Sequence, residues 1–291
     1  MKRILASAAA LAAVVLAATP AAAQQQTPID INRSVVVRDQ NPPTIEFHYG
    51  FADVTLTNTF GAKDETSPGR VIAQEWATLK ATPSGTNYIL VNGRQYDLLQ
   101  FHFHTPSEHA VNGAKAPMEV HFVHIEHGLT GCAGAFEGRP LLVVGALITG
   151  AVGSSNGGSR LLSVRGDAGN HELARLFEEN LPHDKYDTPV VVNGVNLAAL
   201  LPTGSPDWRY EGGLTAPSNA CGSFEPLSTQ LVTGELPEAV HWFVYKQVVP
   251  LAPVAITRFR ELFEEGNSRP LKAIGDRKVF ERRSVRSSNQ Q

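Results

Sequence analysis

The stretch Gln100-Phe-His-Phe-His-Thr-Pro-Ser-Glu-His109, followed closely by Met118-Glu-Val-His-Phe-Val-His124, decides how this chain is read. Side chains on a strand alternate with period two, so Gln100, His102 and His104 share one face, and Leu99, Phe101 and Phe103 the other. Glu119, His121 and Val123 share a face of the next strand. Two histidines from one strand and a third from its neighbour can converge on one metal ion. Zinc with three protein ligands keeps its fourth tetrahedral position for water, the catalytic rather than the structural pattern. Gln100 and Glu119 each stand two residues from a histidine on the same face. Such polar neighbours take the second ring N–H of a ligating histidine and fix its tautomer.

Six of the ten histidines fall between His102 and His127. Three of them have other readings. His109 follows Glu108 and reads as a buried hydrogen-bonding residue. His124 faces opposite His121, and His127 lies at the strand end in solvent.

Working outward, Leu141 to Ile148 is a continuous apolar run, which suits a strand buried on both sides. Val190-Val-Val-Asn-Gly194 and Val240 to Val249 add strand material. Two helices are expected. Asn170 is placed to cap one whose apolar positions are Leu173, Leu176 and Phe177. Another opens near Pro253, carries Ile256, Phe259, Leu262 and Phe263, and stops at Gly266. Loops rich in Gly, Ser and Pro are expected at 64–70, 130–138, 150–159 and 219–238. Many strands with few helices define a mainly β fold with peripheral helices.

Composition narrows the function. Hydrophobic residues make up 42% and charged residues 18%, as in an ordinary globular protein. A formal charge of −3, with no basic run interleaved with aromatics, argues against nucleic-acid binding. Residues 1–23 read as a signal peptide: Lys2 and Arg3, an alanine-rich apolar run, then Ala21-Ala22-Ala23 before Gln24. Its loss takes the formal charge to −5, since it carries Lys2 and Arg3. No later stretch is long and apolar enough to span a bilayer, so residues 24–291 are expected to form one exported, soluble domain. The export is to the periplasm or outside the cell. Cys132 and Cys221 are the two cysteines. In an oxidising compartment they either form a disulfide or stand as two unrelated thiols.

Taken together, Gln100-Phe-His-Phe-His104, Ser107-Glu-His109 and Glu119-Val-His-Phe-Val-His124 resemble the α-class carbonic anhydrases. Gln26-Thr-Pro-Ile-Asp-Ile31, Tyr210-Glu-Gly-Gly-Leu-Thr-Ala-Pro217, Asn267-Ser-Arg-Pro270 and Gly275-Asp-Arg-Lys-Val279 extend the resemblance along the chain. It implies a large twisted, mostly antiparallel central sheet with Zn2+ at the base of a conical cleft. It implies attack of zinc-bound hydroxide on carbon dioxide, giving bicarbonate and a proton. His102, His104 and His121 correspond to the zinc ligands. Gln100, Glu119 and the backbone carbonyl of Asn267 correspond to the groups that orient them. Thr215 corresponds to the threonine that accepts a hydrogen bond from the hydroxide, and Glu108 to the carboxylate that accepts the threonine's proton. Val123, Val143, Leu214 and Trp242 correspond to the apolar wall where carbon dioxide rests.

Four departures qualify the resemblance. The aromatic and glycine-rich segment that usually precedes the Gln-Ser-Pro motif is missing, and with it an N-terminal cysteine; Cys221 keeps its approximate place, so Cys132 is its partner within the chain if it has one. The stretch Leu56-Thr-Asn-Thr-Phe-Gly-Ala-Lys63 has no proton-shuttling histidine. The threonine loop reads Thr215-Ala-Pro-Ser218, without its second threonine. An insertion occupies 218–237. The rival reading is a non-catalytic carbonic-anhydrase-like binding domain; such domains typically lose a zinc-binding histidine, and this chain keeps all three. A homodimer is compatible with the sequence, which does not decide it.

Overall fold

The structure, a computed structural model, describes residues 25–59, 77–129, 141–150, 168–177, 181–184, 186–202, 204–206, 208–215 and 240–282. Residues 1–23, both cysteines, the 218–237 insertion and nearly all of the four predicted loops lie outside this set. In chain order the elements are β1 (Asp30–Ile31), β2 (Val36–Arg38), β3 (Ile45–His48), β4 (Phe51–Asn58), β5 (Leu79–Pro83), β6 (Tyr88–Val91) and β7 (Arg94–His104). There follow β8 (Ala110–Val111), β9 (Ala114–Lys115), β10 (Met118–Glu126), β11 (Leu141–Gly150), α1 (Ala168–Arg175) and β12 (Val190–Asn196). The chain closes with β13 (Trp208–Gly212), β14 (Val240–Val244), β15 (Val249–Leu251), α2 (Pro253–Leu262) and β16 (Val279–Glu281).

One large sheet runs β12-β4-β5-β7-β10-β11-β14-β13-β16-β2, with β15 beside β11, and β6 and β3 extending from β7. Its pairings are antiparallel except β11 with β14 and β15, and β16 with β2. The expected mainly β fold, with a mostly antiparallel sheet and peripheral helices, is therefore the one observed. A separate small sheet joins β1, β8 and β9.

The central strand β11 shows why the sheet has two distinct faces. All of Leu141 to Ile148 is buried. Leu142, Val144, Ala146 and Ile148 join one apolar cluster, while Leu141, Val143 and Leu147 join another. The first cluster is capped by helices. Leu173, Leu176 and Phe177 at α1, and Ile256, Phe259, Leu262 and Phe263 at α2, pack on Phe101, Phe103 and Phe122. The Phe103 ring lies 5.0 Å from that of Phe177 and 5.9 Å from that of Phe259. Each buried phenylalanine contributes roughly 1.5–3 kcal/mol relative to exposure. Both helices thus sit behind the sheet and leave the opposite face to the histidines.

Two local expectations, the face of Leu99 and the capping role of Asn170, are corrected. The register between β7 and β10 slips between Val123 and His124, pairing Val123 with Gln100 but His124 with Leu98. Leu99 is the extra residue of a bulge, which interrupts alternation. Consequently Leu98 packs towards Phe101 and Phe103, whereas Leu99 packs towards the second cluster. Asn170 lies inside the first turn of α1 rather than at its cap. Val240 to Val249 forms two short strands, β14 and β15, that pair with opposite ends of β11. The second helix begins at Pro253 in its first turn, as expected.

Candidate metal centre

Residues directly opposite one another on neighbouring antiparallel strands project to the same face. His102 on β7 faces His121 on β10, and His104 faces Glu119. The ring centroids of His102 and His104 are 5.0 Å apart, those of His102 and His121 5.3 Å, and those of His104 and His121 4.8 Å. One nitrogen from each ring lies within 4.8 Å of the others. His102 is 8% exposed, His104 1% and His121 not at all.

Each second ring nitrogen has a polar neighbour. His102 Nδ1 lies 2.9 Å from Oε1 of Gln100. His104 Nδ1 donates to the backbone carbonyl of Asn267 at 3.0 Å. His121 Nε2 sits 3.0 Å from Oε1 of Glu119, at ion-pair distance. His102 Nε2, His104 Nε2 and His121 Nδ1 are the nitrogens turned away from these neighbours; like His121 Nε2 they are buried and make no hydrogen bond among the described residues. Buried polar atoms are costly when unpaired. Three such nitrogens facing one another fit a cation bound between them. Burial, reinforced by the other two histidines, holds the pKa of His102 well below its ordinary value; burial likewise lowers His104. Both are neutral imidazoles at pH 7, the form that ligates metal.

The supporting layer is as ordered as the triad. Asn267 places its carbonyl by spending its whole side chain: Oδ1 accepts from Thr105 N, and Nδ2 donates to the carbonyls of Ala77 and Phe103. The fully buried Glu119 accepts from His109 N at 2.8 Å and from His109 Nδ1 at 2.7 Å. Burial raises its pKa, but the adjoining His109 and His121 outweigh this and hold it well below the ordinary carboxylate value. His109 Nε2 in turn meets the Tyr210 hydroxyl at 2.7 Å. His109 also lies near His121 and Glu119 in a set spaced like a second metal site. Both its ring nitrogens are engaged, so it extends the supporting layer, in keeping with its reading as a buried hydrogen-bonding residue. His124 faces away, with Nδ1 3.1 Å from the Leu142 carbonyl and Nε2 2.5 Å from the Tyr49 hydroxyl. His127 is exposed and pairs with Asp97 at 2.7 Å.

Glu108 is fully buried. Its Oε1 accepts from Arg269 N at 3.0 Å, and its Oε2 lies 3.5 Å from His104 Nε2 and 3.7 Å from His121 Nδ1. Oε2 has no hydrogen-bond partner among the described residues, so the bond from Thr215 expected from the resemblance is not formed here. Thr215 itself is buried, the last described residue before 240. The preceding residues are tied down by Trp242 Nε1, which donates to the Gly213 carbonyl at 3.0 Å, and by Thr27, whose hydroxyl accepts from Gly213 N at 3.1 Å.

Val123, Val143, Leu214 and Trp242 are all buried in the second apolar cluster. Val123 pairs with Val143, and Val143 with Trp242, so three of them form one row across β10, β11 and β14. The Trp242 ring stands edge-on to His121 at 4.9 Å. Two contributors were not singled out from the sequence. Gly145, opposite His121, leaves space that a Cβ would fill 3.1 Å from Glu119 Oε1. Tyr210 was noted only as part of a motif; its partnership with His109 depends on strand pairing.

A mostly antiparallel sheet carrying a buried three-histidine cluster with an oriented supporting layer defines the α-type carbonic anhydrase architecture. Residues 16–221 match the family model described as eukaryotic-type carbonic anhydrase, and the chain belongs to that family of carbon dioxide-hydrating enzymes. A carbonic anhydrase of Klebsiella pneumoniae is 28% identical over 256 residues, covering 88% of this chain and 79% of that protein. One from Neisseria gonorrhoeae is 30% identical over 203 residues, covering 68% of this chain and 61% of that relative. Among solved structures, the Photobacterium profundum α-carbonic anhydrase superposes with a TM-score of 0.61 at 25% identity, covering 88% of this chain and 89% of that one.

Proposed function

We propose that residues from Gln24 onward form an exported zinc enzyme that interconverts carbon dioxide and bicarbonate. The observation that carries this reading is the clustering of three buried nitrogens that make no hydrogen bond, His102 Nε2, His104 Nε2 and His121 Nδ1. His102, His104 and His121 would hold the zinc. A zinc ion held by three histidines would acidify a coordinated water and supply a nucleophile near neutral pH, an effect for which carbonic anhydrase is the standard case. Gln100, Glu119 and the Asn267 carbonyl keep the three rings in their ligating tautomers. Thr215 would orient the nucleophile through its hydroxyl, with Glu108 as the acceptor for its proton, a bond that is not made in the structure as it stands. The unsatisfied Oε2 of Glu108 supports this role, since a buried carboxylate oxygen needs a donor. Val123, Val143, Leu214 and Trp242 form the apolar wall that takes up carbon dioxide and excludes competing water. Among the described residues no helix is long and apolar enough to cross a membrane. Export follows from the character of residues 1–23, and an oxidising destination suits a bond between Cys132 and Cys221.

Stopped-flow carbon dioxide hydration tests the reading, on the protein as isolated, after chelation and after zinc return. Activity that disappears with zinc, returns with it and is absent from His104→Ala is expected. Stoichiometric zinc with no hydration would instead identify a carbonic-anhydrase-like binding domain.

A further inference from the structure

The strand order β4-β5-β7-β10-β11-β14 places the histidines between two unlike flanks. Towards β11 and β14 the same face carries Val143 and Trp242. Towards β5 and β4 it carries Lys80, the direct partner of His102, and Thr57, the direct partner of Lys80. Thr57, Lys80, His102 and His121 therefore form one cross-strand row with their side chains on the metal-binding face. Neighbouring strands lie roughly 4.8 Å apart, a gap that a lysine stem easily spans.

Both flanking groups are unmatched. Lys80 is half-buried and has no hydrogen-bond or ion-pair partner among the described residues, and burial desolvates its ammonium. The Thr57 hydroxyl oxygen is buried and likewise unpartnered among those residues. A lysine with only solvent to satisfy would extend its ammonium fully into water. A desolvated cation beside a buried free hydroxyl, on the row that ends at the ligand triad, is complementary to a small oxyanion.

We propose that Lys80, backed by Thr57, is an anion-binding position on the polar flank of the metal-binding face, which holds bicarbonate as it approaches or leaves the metal centre. The assignment rests on the reaction proposed above. Lys80 acts by its fixed positive charge.

The test uses the full mature protein loaded with cobalt(II), whose visible spectrum reports anion binding independently of turnover. Thiocyanate and bicarbonate are titrated into wild type, Lys80→Gln, Lys80→Arg and Thr57→Val. An unchanged anion-free spectrum establishes that a variant's metal site is intact. Lys80→Gln is expected to weaken both anions by about 5-fold or more, the scale of one charge acting at short range through a solvated medium. Lys80→Arg should restore most of the affinity, Thr57→Val should show a smaller loss, and the bicarbonate KM of Lys80→Gln in dehydration should rise by the same factor. Wild-type affinity in Lys80→Gln, with the anion-free spectrum preserved, would overturn the assignment. Absence of hydration by the zinc-loaded wild type would refute the catalytic reading, and the cobalt titration would still decide whether Lys80 binds anions.

Discussion

Gly145→Ala sets two effects of known sign against each other. Alanine in a strand is ordinarily better than glycine by roughly 0.5–1 kcal/mol, because less backbone entropy is lost on folding. At this position the new Cβ would lie 3.1 Å from Glu119 Oε1, 3.6 Å from His121 Cδ2 and 3.8 Å from Trp242 Cζ3. The first of these is a few tenths of an ångström too close, so something must give. Glu119 cannot yield freely: His109 holds it from two sides at 2.8 and 2.7 Å, and His121 Nε2 stands 3.0 Å away. Overpacking typically costs about 1–3 kcal/mol. It should win here and leave a net destabilisation of about 1 kcal/mol in the zinc-free protein. A displaced Glu119 also loosens His121. Disturbing a group that orients a metal ligand typically lowers affinity 10- to 100-fold. Because the carboxylate is shifted rather than removed, the loss should sit near 10-fold. Urea denaturation of zinc-free protein and competition with a chelator of known affinity read the two quantities separately. Equal or greater stability with unchanged zinc affinity would refute the idea that Glu119 is rigidly seated.

Three further outcomes are expected. Glu119→Gln replaces an acceptor of two His109 N–H groups with an amide that presents its own donors, and should cost the full 10- to 100-fold in zinc affinity; chelator competition measures it. Burial holds His124 at about 4, so the unfolded chain takes up a proton first: its share of stability is complete above pH 6.5 and falls by up to about 3 kcal/mol as pH drops to 4. Denaturation of zinc-free wild type and His124→Gln across this range should show the wild type losing more, and parallel curves would count against it. Leu56 to Lys63 has no histidine to carry protons outward, so turnover should rise with imidazole concentration; a high rate indifferent to buffer would remove the inference.

Much of the metal site was legible in the sequence because its key relations are short-range. His102 and His104 share a face by strand periodicity, and Gln100 and Glu119 stand two residues from the rings they meet in space. Leu141 to Ile148 announced a strand buried on both sides, and the alternating membership of its residues in two clusters follows from the same periodicity. The Asn267 carbonyl, more than 160 residues from His104, came only through resemblance; spacing carries no trace of it.

Cross-strand register was beyond the sequence, because it is set by how whole faces pack. Register places Gly145 opposite His121, aligns Val123, Val143 and Trp242, and brings Lys80 beside His102. The bulge at Leu99 shows the same limit within one strand: period two assigned it to the helix-covered face, and one extra residue sent it to the other. Local chemistry thus selected the three histidines and their nearest partners, since alternation is a property of the backbone itself. Only the assembled sheet decided which residues from other strands flank them, since those neighbours are chosen by long-range packing.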